Sequence, residues 1–114
     1  MSELQLSTRF RIRDGRLDEF KDLADQCISV TREKDAGTLQ YDWFFSPDGD
    51  ECVLRERYRD STAILEHAAN LGDLMGRFMA ISDPDVEIYG APTDELLEAI
   101  AVLEPRVYAA YRST

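Results

Sequence analysis

The chain has 114 residues, 44% hydrophobic and 32% charged, with a net charge of −10. That length and balance describe one soluble globular domain over residues 1–114, able to bury a core without staples. The acidity excludes a nucleic-acid binder, which needs a basic footprint. No apolar run reaches the roughly 20 residues of a membrane span, and Met1 to Gln5 shows no signal-peptide pattern, so the expected location is the cytoplasm, with no membrane partner.

Leu4, Leu6, Thr8, Phe10 and Ile12 alternate with Gln5, Ser7, Arg9, Arg11 and Arg13, the period of a half-buried strand. Asp14-Gly15 turns the chain. Leu17, Phe20, Leu23, Ala24, Cys27, Ile28 and Thr31 then recur at helical spacing, with Asp18 and Glu19 in the first turn, where the helix dipole favours anions. Gly37 is the expected breaker. Thr38 to Phe45 is rich in β-formers, with Leu39, Tyr41, Trp43 and Phe45 on one face and Asp42 and Phe44 on the other. Ser46-Pro47-Asp48-Gly49-Asp50 is a hairpin loop, and Cys52 to Arg59 is its return strand.

Asp60 or Ser61 caps a helix predicted to run to Ile81, with Gly72 and Gly76 weakening its middle. Ser82-Asp83-Pro84 ends it, and Val86, Ile88 and Gly90 mark a fourth strand. Thr93 caps a short helix from Glu95 to Leu103, which stops before Pro105. Val107 to Tyr111 is too apolar for a free tail and is expected to dock on its own domain or on a neighbour.

The order β-α-β-β-α-β, with right-handed crossovers, predicts an α+β ferredoxin-like fold: a four-stranded antiparallel sheet with two helices on one face. Its core spans residues 4–91, and residues 92–114 form an extension with a helix and tail. The open face, carrying Ser7, Arg9, Arg11, Asp42 and Phe44, is mixed in character and suits a homodimer packed through the sheet. Arg55 and Arg57 alternate away from Glu56 and need acidic partners, from Asp42 or a second subunit.

The helix-facing side chains define a candidate pocket for a small aromatic or hydrophobic ligand. Thr8 comes from the first strand and Tyr41 and Trp43 from the second; Tyr58 of the third is a further candidate, although the face that it and Glu56 take is left open, because both faces of that strand carry polar groups. His67, Asn70, Leu71, Met75 and Phe78 come from the long helix. His67 is the only histidine, and imidazole is the side chain best suited to take a phenolic proton near neutral pH. It is the candidate catalytic residue; the alternative is a histidine bonded to Tyr or Glu that only seats its helix. Asn70 either joins the pocket or is solvated. Cys27 and Cys52 read as buried free thiols, and two cysteines with one histidine make no metal site. No nucleotide or flavin motif is present.

Gly37-Thr38-Leu39-Gln40-Tyr41, then Glu56-Arg57-Tyr58, then Asp60, Ala63 and His67 at matching spacing carry a resemblance to the antibiotic biosynthesis monooxygenase family of the dimeric α/β-barrel superfamily. The extension resembles that of a quinol monooxygenase-like subgroup. The resemblance implies a barrel of two sheets face to face, a pocket in each monomer, and oxidation of phenolic or quinol-type compounds by molecular oxygen without metal or flavin, so no cofactor is expected. A heme-degrading branch uses Asn, Trp and His at positions that fall near Thr8, His67 and Arg77 here, and none of the three matches. The alternative to an enzyme is a non-catalytic dimeric barrel that binds a small hydrophobic ligand.

Overall fold

The N-terminal alternation folds as strand β1 (Leu4–Ile12), which takes the middle of the sheet. A computed structural model describes residues 3–114. Helix α1 (Leu17–Lys34) follows, then β2 (Thr38–Phe45), β3 (Glu51–Tyr58), α2 (Ser61–Leu71), α3 (Leu74–Ile81), β4 (Ser82–Tyr89), α4 (Asp94–Ala99), a short 3-10 turn (Ala101–Leu103) and β5 (Arg106–Tyr108). The sheet order is β2-β3-β1-β4-β5. Strands β1 to β4 pair antiparallel, as the ferredoxin-like topology requires. The sheet has five strands rather than four, because the apolar tail adds β5 parallel to β4. Arg106 bonds Asp85 and Glu87 there, and Tyr108 stacks on Tyr89.

Leu4, Leu6, Thr8 and Phe10 of β1 lie against the helices and are buried. The register places Tyr58, Glu56, Leu54 and Cys52 of β3 opposite them, so these four share that inner face. The core falls into two clusters. One gathers Phe10, Phe20, Leu54 and Phe78; the other gathers Leu4, Tyr58, Ile64, Ile88 and Leu96.

Four further sequence expectations change. The long helix is two: Gly72, at φ 60°, ends α2, and α3 starts afresh at Leu74. Gly supplies that positive φ without Cβ strain. The C-terminal helix stops at Ala99 and tightens into the 3-10 turn. Leu39 does not share the inner face of Tyr41 and Trp43, because a bulge between Thr38 and Gln40 turns it out to 49% exposure. Asp42 is bonded by Gln40 rather than by an arginine, while Arg57 pairs with Glu3 and Arg9 with Asp85.

Helix α2 carries the histidine, and three contacts fix its position. Asp60 caps it, its carboxylate accepting from Ala63 N at 2.9 Å. Gly37 lies against its first turn, where an added Cβ would come 2.5 Å from Ala63 Cβ. The Ala36 N–H donates to Glu66. Among the described residues, no helix is long and apolar enough to cross a membrane.

Candidate active site

Between the inner sheet face and α2 and α3 lies a cavity of about 270 Å³ whose wall draws on both core clusters. Thr8, Tyr41, Trp43 and Tyr58 line it from the strands, and His67, Leu71, Met75 and Phe78 from the helices. Thus the structure brings eight of the nine expected residues to one space. Its presence disfavours a filled, purely structural core beside His67.

Asn70 is the exception. It does not line the cavity; its Nδ2 donates to Asp35 Oδ1 at 2.8 Å. Asp35, the residue that caps α1, is the partner sequence reasoning missed. It sits 2.6 Å from His67 Nδ1 and also accepts from Thr38 Oγ1 at 2.6 Å. His67 is therefore bonded to an aspartate, not to the expected Tyr or Glu. The His67 and Asp35 side chains are 7% and 2% exposed.

Burial alone would raise the Asp35 pKa, but the Thr38, Asn70 and His67 bonds outweigh it and hold the carboxyl below its usual range. An ionised carboxylate only accepts, so the proton between the pair sits on Nδ1; in the neutral imidazole the lone pair is then on Nε2. Asp35 lies outside the cavity wall while His67 lies in it, so the ring edge bearing Nε2 is the one presented there. Among the described residues no partner is found for Nε2. The Tyr41 and Tyr58 rings flank the imidazole at 5.0 and 5.4 Å.

Glu56 is the second residue missed. It stands on the cavity wall, 7% exposed, bonded by the Tyr58 hydroxyl and by Thr8 Oγ1 at 3.3 Å. Burial raises its pKa, against the pull of the Tyr58 bond, the His67 charge and the Thr8 bond. Burial and then the Glu56 charge push the Tyr58 and Tyr41 phenols up. Burial pushes the Cys27 thiol up to about 12, so it is no nucleophile. The signal for Glu56 was its parity with Cys52 and Leu54, whose apolarity marks the inward face. Asp35 had no such signal.

The far end of the cavity is aromatic. Trp43 stacks on Phe78 with centroids 5.6 Å apart, and its buried Nε1 has no partner among the described residues. The extension closes one side through Ala99, Ile100, Val102 and Leu103. No group of acidic, histidine and cysteine side chains suited to a metal occurs among the described residues.

The chain, folded as an α+β sandwich with a ligand-sized cavity between sheet and helices, matches the model of the antibiotic biosynthesis monooxygenase family over residues 6–79. The chain belongs to that family. It is 34% identical over 90 residues to the Mycobacterium tuberculosis protein named "Putative monooxygenase Rv0793", spanning 71% of this chain and 88% of that one. MupZ from Pseudomonas fluorescens superposes with a TM-score of 0.86 at 22% identity, covering 100% of this chain and 94% of MupZ. SnoaB from Streptomyces nogalater, described as a cofactor-independent oxygenase, superposes with a TM-score of 0.69 at 16% identity, covering 82% and 96%. At those identities the two structures show the fold alone.

Proposed function

We propose that the chain is a cofactor-independent monooxygenase that oxidises a small phenolic or quinol-type aromatic with molecular oxygen in the cavity beneath α2 and α3. The observation that carries this reading is His67, locked by Asp35 with Nε2 toward a largely apolar, aromatic space. Its membership of the family and its likeness to a protein named a monooxygenase support it.

His67 Nε2 takes the hydroxyl proton of the substrate, and Asp35 stabilises the imidazolium that forms. The phenolate is electron-rich enough to give electrons to oxygen directly. For a quinol, the overall change is quinol plus O2 to hydroxyquinone plus water, so one oxygen atom enters the ring and the other leaves as water. Trp43, Phe78, Leu71 and Met75 form the apolar bed for the ring, and Tyr41, Tyr58 and Thr8 border the polar end. Asn70 and Thr38 act through Asp35 as positioning residues. The outer sheet face, with Phe44 56% exposed among arginines and acids, serves to pair two copies.

An oxygen electrode decides the matter. Wild-type protein with naphthol- and quinol-type compounds should consume one O2 per quinone or hydroxyquinone product. His67→Ala should lower that rate about 10²- to 10⁴-fold; an unchanged rate would remove His67 from the mechanism. Binding without oxygen uptake, surviving in His67→Gln, would favour a non-catalytic ligand-binding barrel.

A further inference from the structure

One ionisable group on the cavity wall has no part in the proton abstraction assigned to His67. Glu56 projects from the inner face of β3, with Thr8 beside it on β1 and Tyr41 opposite on β2. Its hydrogen-bond partners are the hydroxyls of Tyr58 and Thr8, and among the described residues no lysine or arginine pairs with it. An ionised carboxylate in such a wall, with no cation bonded to it, is costly. The neutral acid is not, because it both donates and accepts.

The two oxygens of Glu56 are held unequally. Oε1 is engaged by the Tyr58 hydroxyl, whereas the Thr8 contact to Oε2, at 3.3 Å, exceeds the usual length for a bond between oxygens. Oε2 is thus the oxygen free to turn its proton to a ligand. The same cavity also holds a carboxylate-anchored imidazole that accepts protons. A group placed to give a proton and a group placed to take one, within a single site, are the usual pairing of an acid and a base.

We infer that Glu56 stands in the cavity as a neutral carboxylic acid and is a second catalytic residue, the proton donor to the oxygen that the bound quinol-type reactant acquires. This rests on the monooxygenase reading for its chemistry, though not for the state of the acid. After His67 takes the hydroxyl proton, a carbon–oxygen bond forms between the ring and O2, and Glu56 gives its proton to the distal oxygen. The Glu56 carboxylate then takes the proton from the same ring carbon as the O–O bond breaks and a carbonyl forms. The departing hydroxide recovers the proton held on His67 and leaves as water. Both side chains end as they began, and O2 is the only oxidant.

The test uses naphthohydroquinone and Glu56→Gln, which keeps the shape and the hydroxyl bonds but cannot transfer a proton. Trp43 is the only tryptophan and lines the cavity, so its fluorescence reports binding under nitrogen. Glu56→Gln should bind within about threefold of wild type, yet form hydroxynaphthoquinone in a single turnover about 10²-fold more slowly. An unchanged single-turnover rate overturns the catalytic role. The infrared difference between wild type and Glu56→Gln at neutral pH should hold the carbonyl stretch of a neutral acid, and that band should shift when the hydroquinone binds under nitrogen. Its absence overturns the inference outright. If the band is present and shifts but wild-type protein consumes no oxygen, the monooxygenase reading falls, and Glu56 stands only as a hydrogen-bond donor to the ligand.

Discussion

Asp35 Oδ2 lies 2.6 Å from His67 Nδ1, tying the end of α1 to the middle of α2. The contact seats a helix and fixes a tautomer at once. Asp35→Asn separates these jobs. The amide keeps the shape and a bond to the imidazole, but it can turn its NH2 toward Nδ1 and so favour the proton on Nε2. We expect kcat to fall about 10²- to 10⁴-fold with little change in KM, by oxygen uptake under saturating quinol. A loss confined to KM would show that Asp35 only shapes the cavity.

The two buried carboxylates give opposite pH dependences to stability. The Asp35 carboxyl is held below its usual range, so its contribution is present above that range and disappears as pH falls through the depressed value. Glu56 is raised, chiefly by burial, so its contribution is complete below 4.5, the ordinary glutamate value, and is lost as pH rises through the raised value. The groups facing Glu56 are Tyr58 on its own strand, Thr8 on β1, Tyr41 on β2, Cys27 on α1 and His67 on α2. Urea midpoints taken from pH 4.5 toward neutrality should therefore fall in wild type more than in Glu56→Gln, which cannot ionise. Parallel curves would mean that Glu56 is ionised in the fold.

The fold and the cavity were legible in different degrees. Period-two alternation in β1 and the Asp60-Ser61 cap before α2 are local signals, and both survive folding. Together they put Thr8, Tyr58 and His67 within one space. The orientation of Asn70 was not legible, because it depends on Asp35, which lies 35 positions earlier in the chain. Glu56 was not assigned to the cavity, because the arginines on either side of it drew the reading of that strand toward ion pairs at a dimer face. The pleat instead sends it inward with Leu54 and Cys52, where hydroxyls take the place of cations.

Gly37 and Gly76 should respond to alanine with opposite signs. An alanine Cβ at Gly37 would meet Ala63 Cβ at 2.5 Å, forcing α2 away from β2 and moving His67 with it. We expect Gly37→Ala to cost about 1–3 kcal/mol, as overpacking does, and to weaken hydroquinone binding. Gly76 faces open space within α3 at an ordinary helical φ. Gly76→Ala should stabilise by about 0.5–1 kcal/mol through helix propensity. Urea denaturation of both variants checks the pair; a neutral Gly37→Ala would show that α2 is not held by that contact.

The extension divides into an anchor and a rim. Leu96 is fully buried against Leu4, Tyr58 and Ile88, so Leu96→Ala should cost about 2–5 kcal/mol, as a cavity in a packed core does. Val102 lines the cavity, yet it is 74% exposed, which puts it at the mouth rather than in the core. Val102→Ser should leave stability within about 0.5 kcal/mol, because exposed sites seldom do more. It should nonetheless weaken naphthohydroquinone binding severalfold, since each CH2 that a ligand buries contributes about 0.8 kcal/mol. Trp43 fluorescence titration under nitrogen measures the affinity, and urea denaturation measures the stability. Unchanged affinity in Val102→Ser would place the entrance elsewhere on the cavity wall.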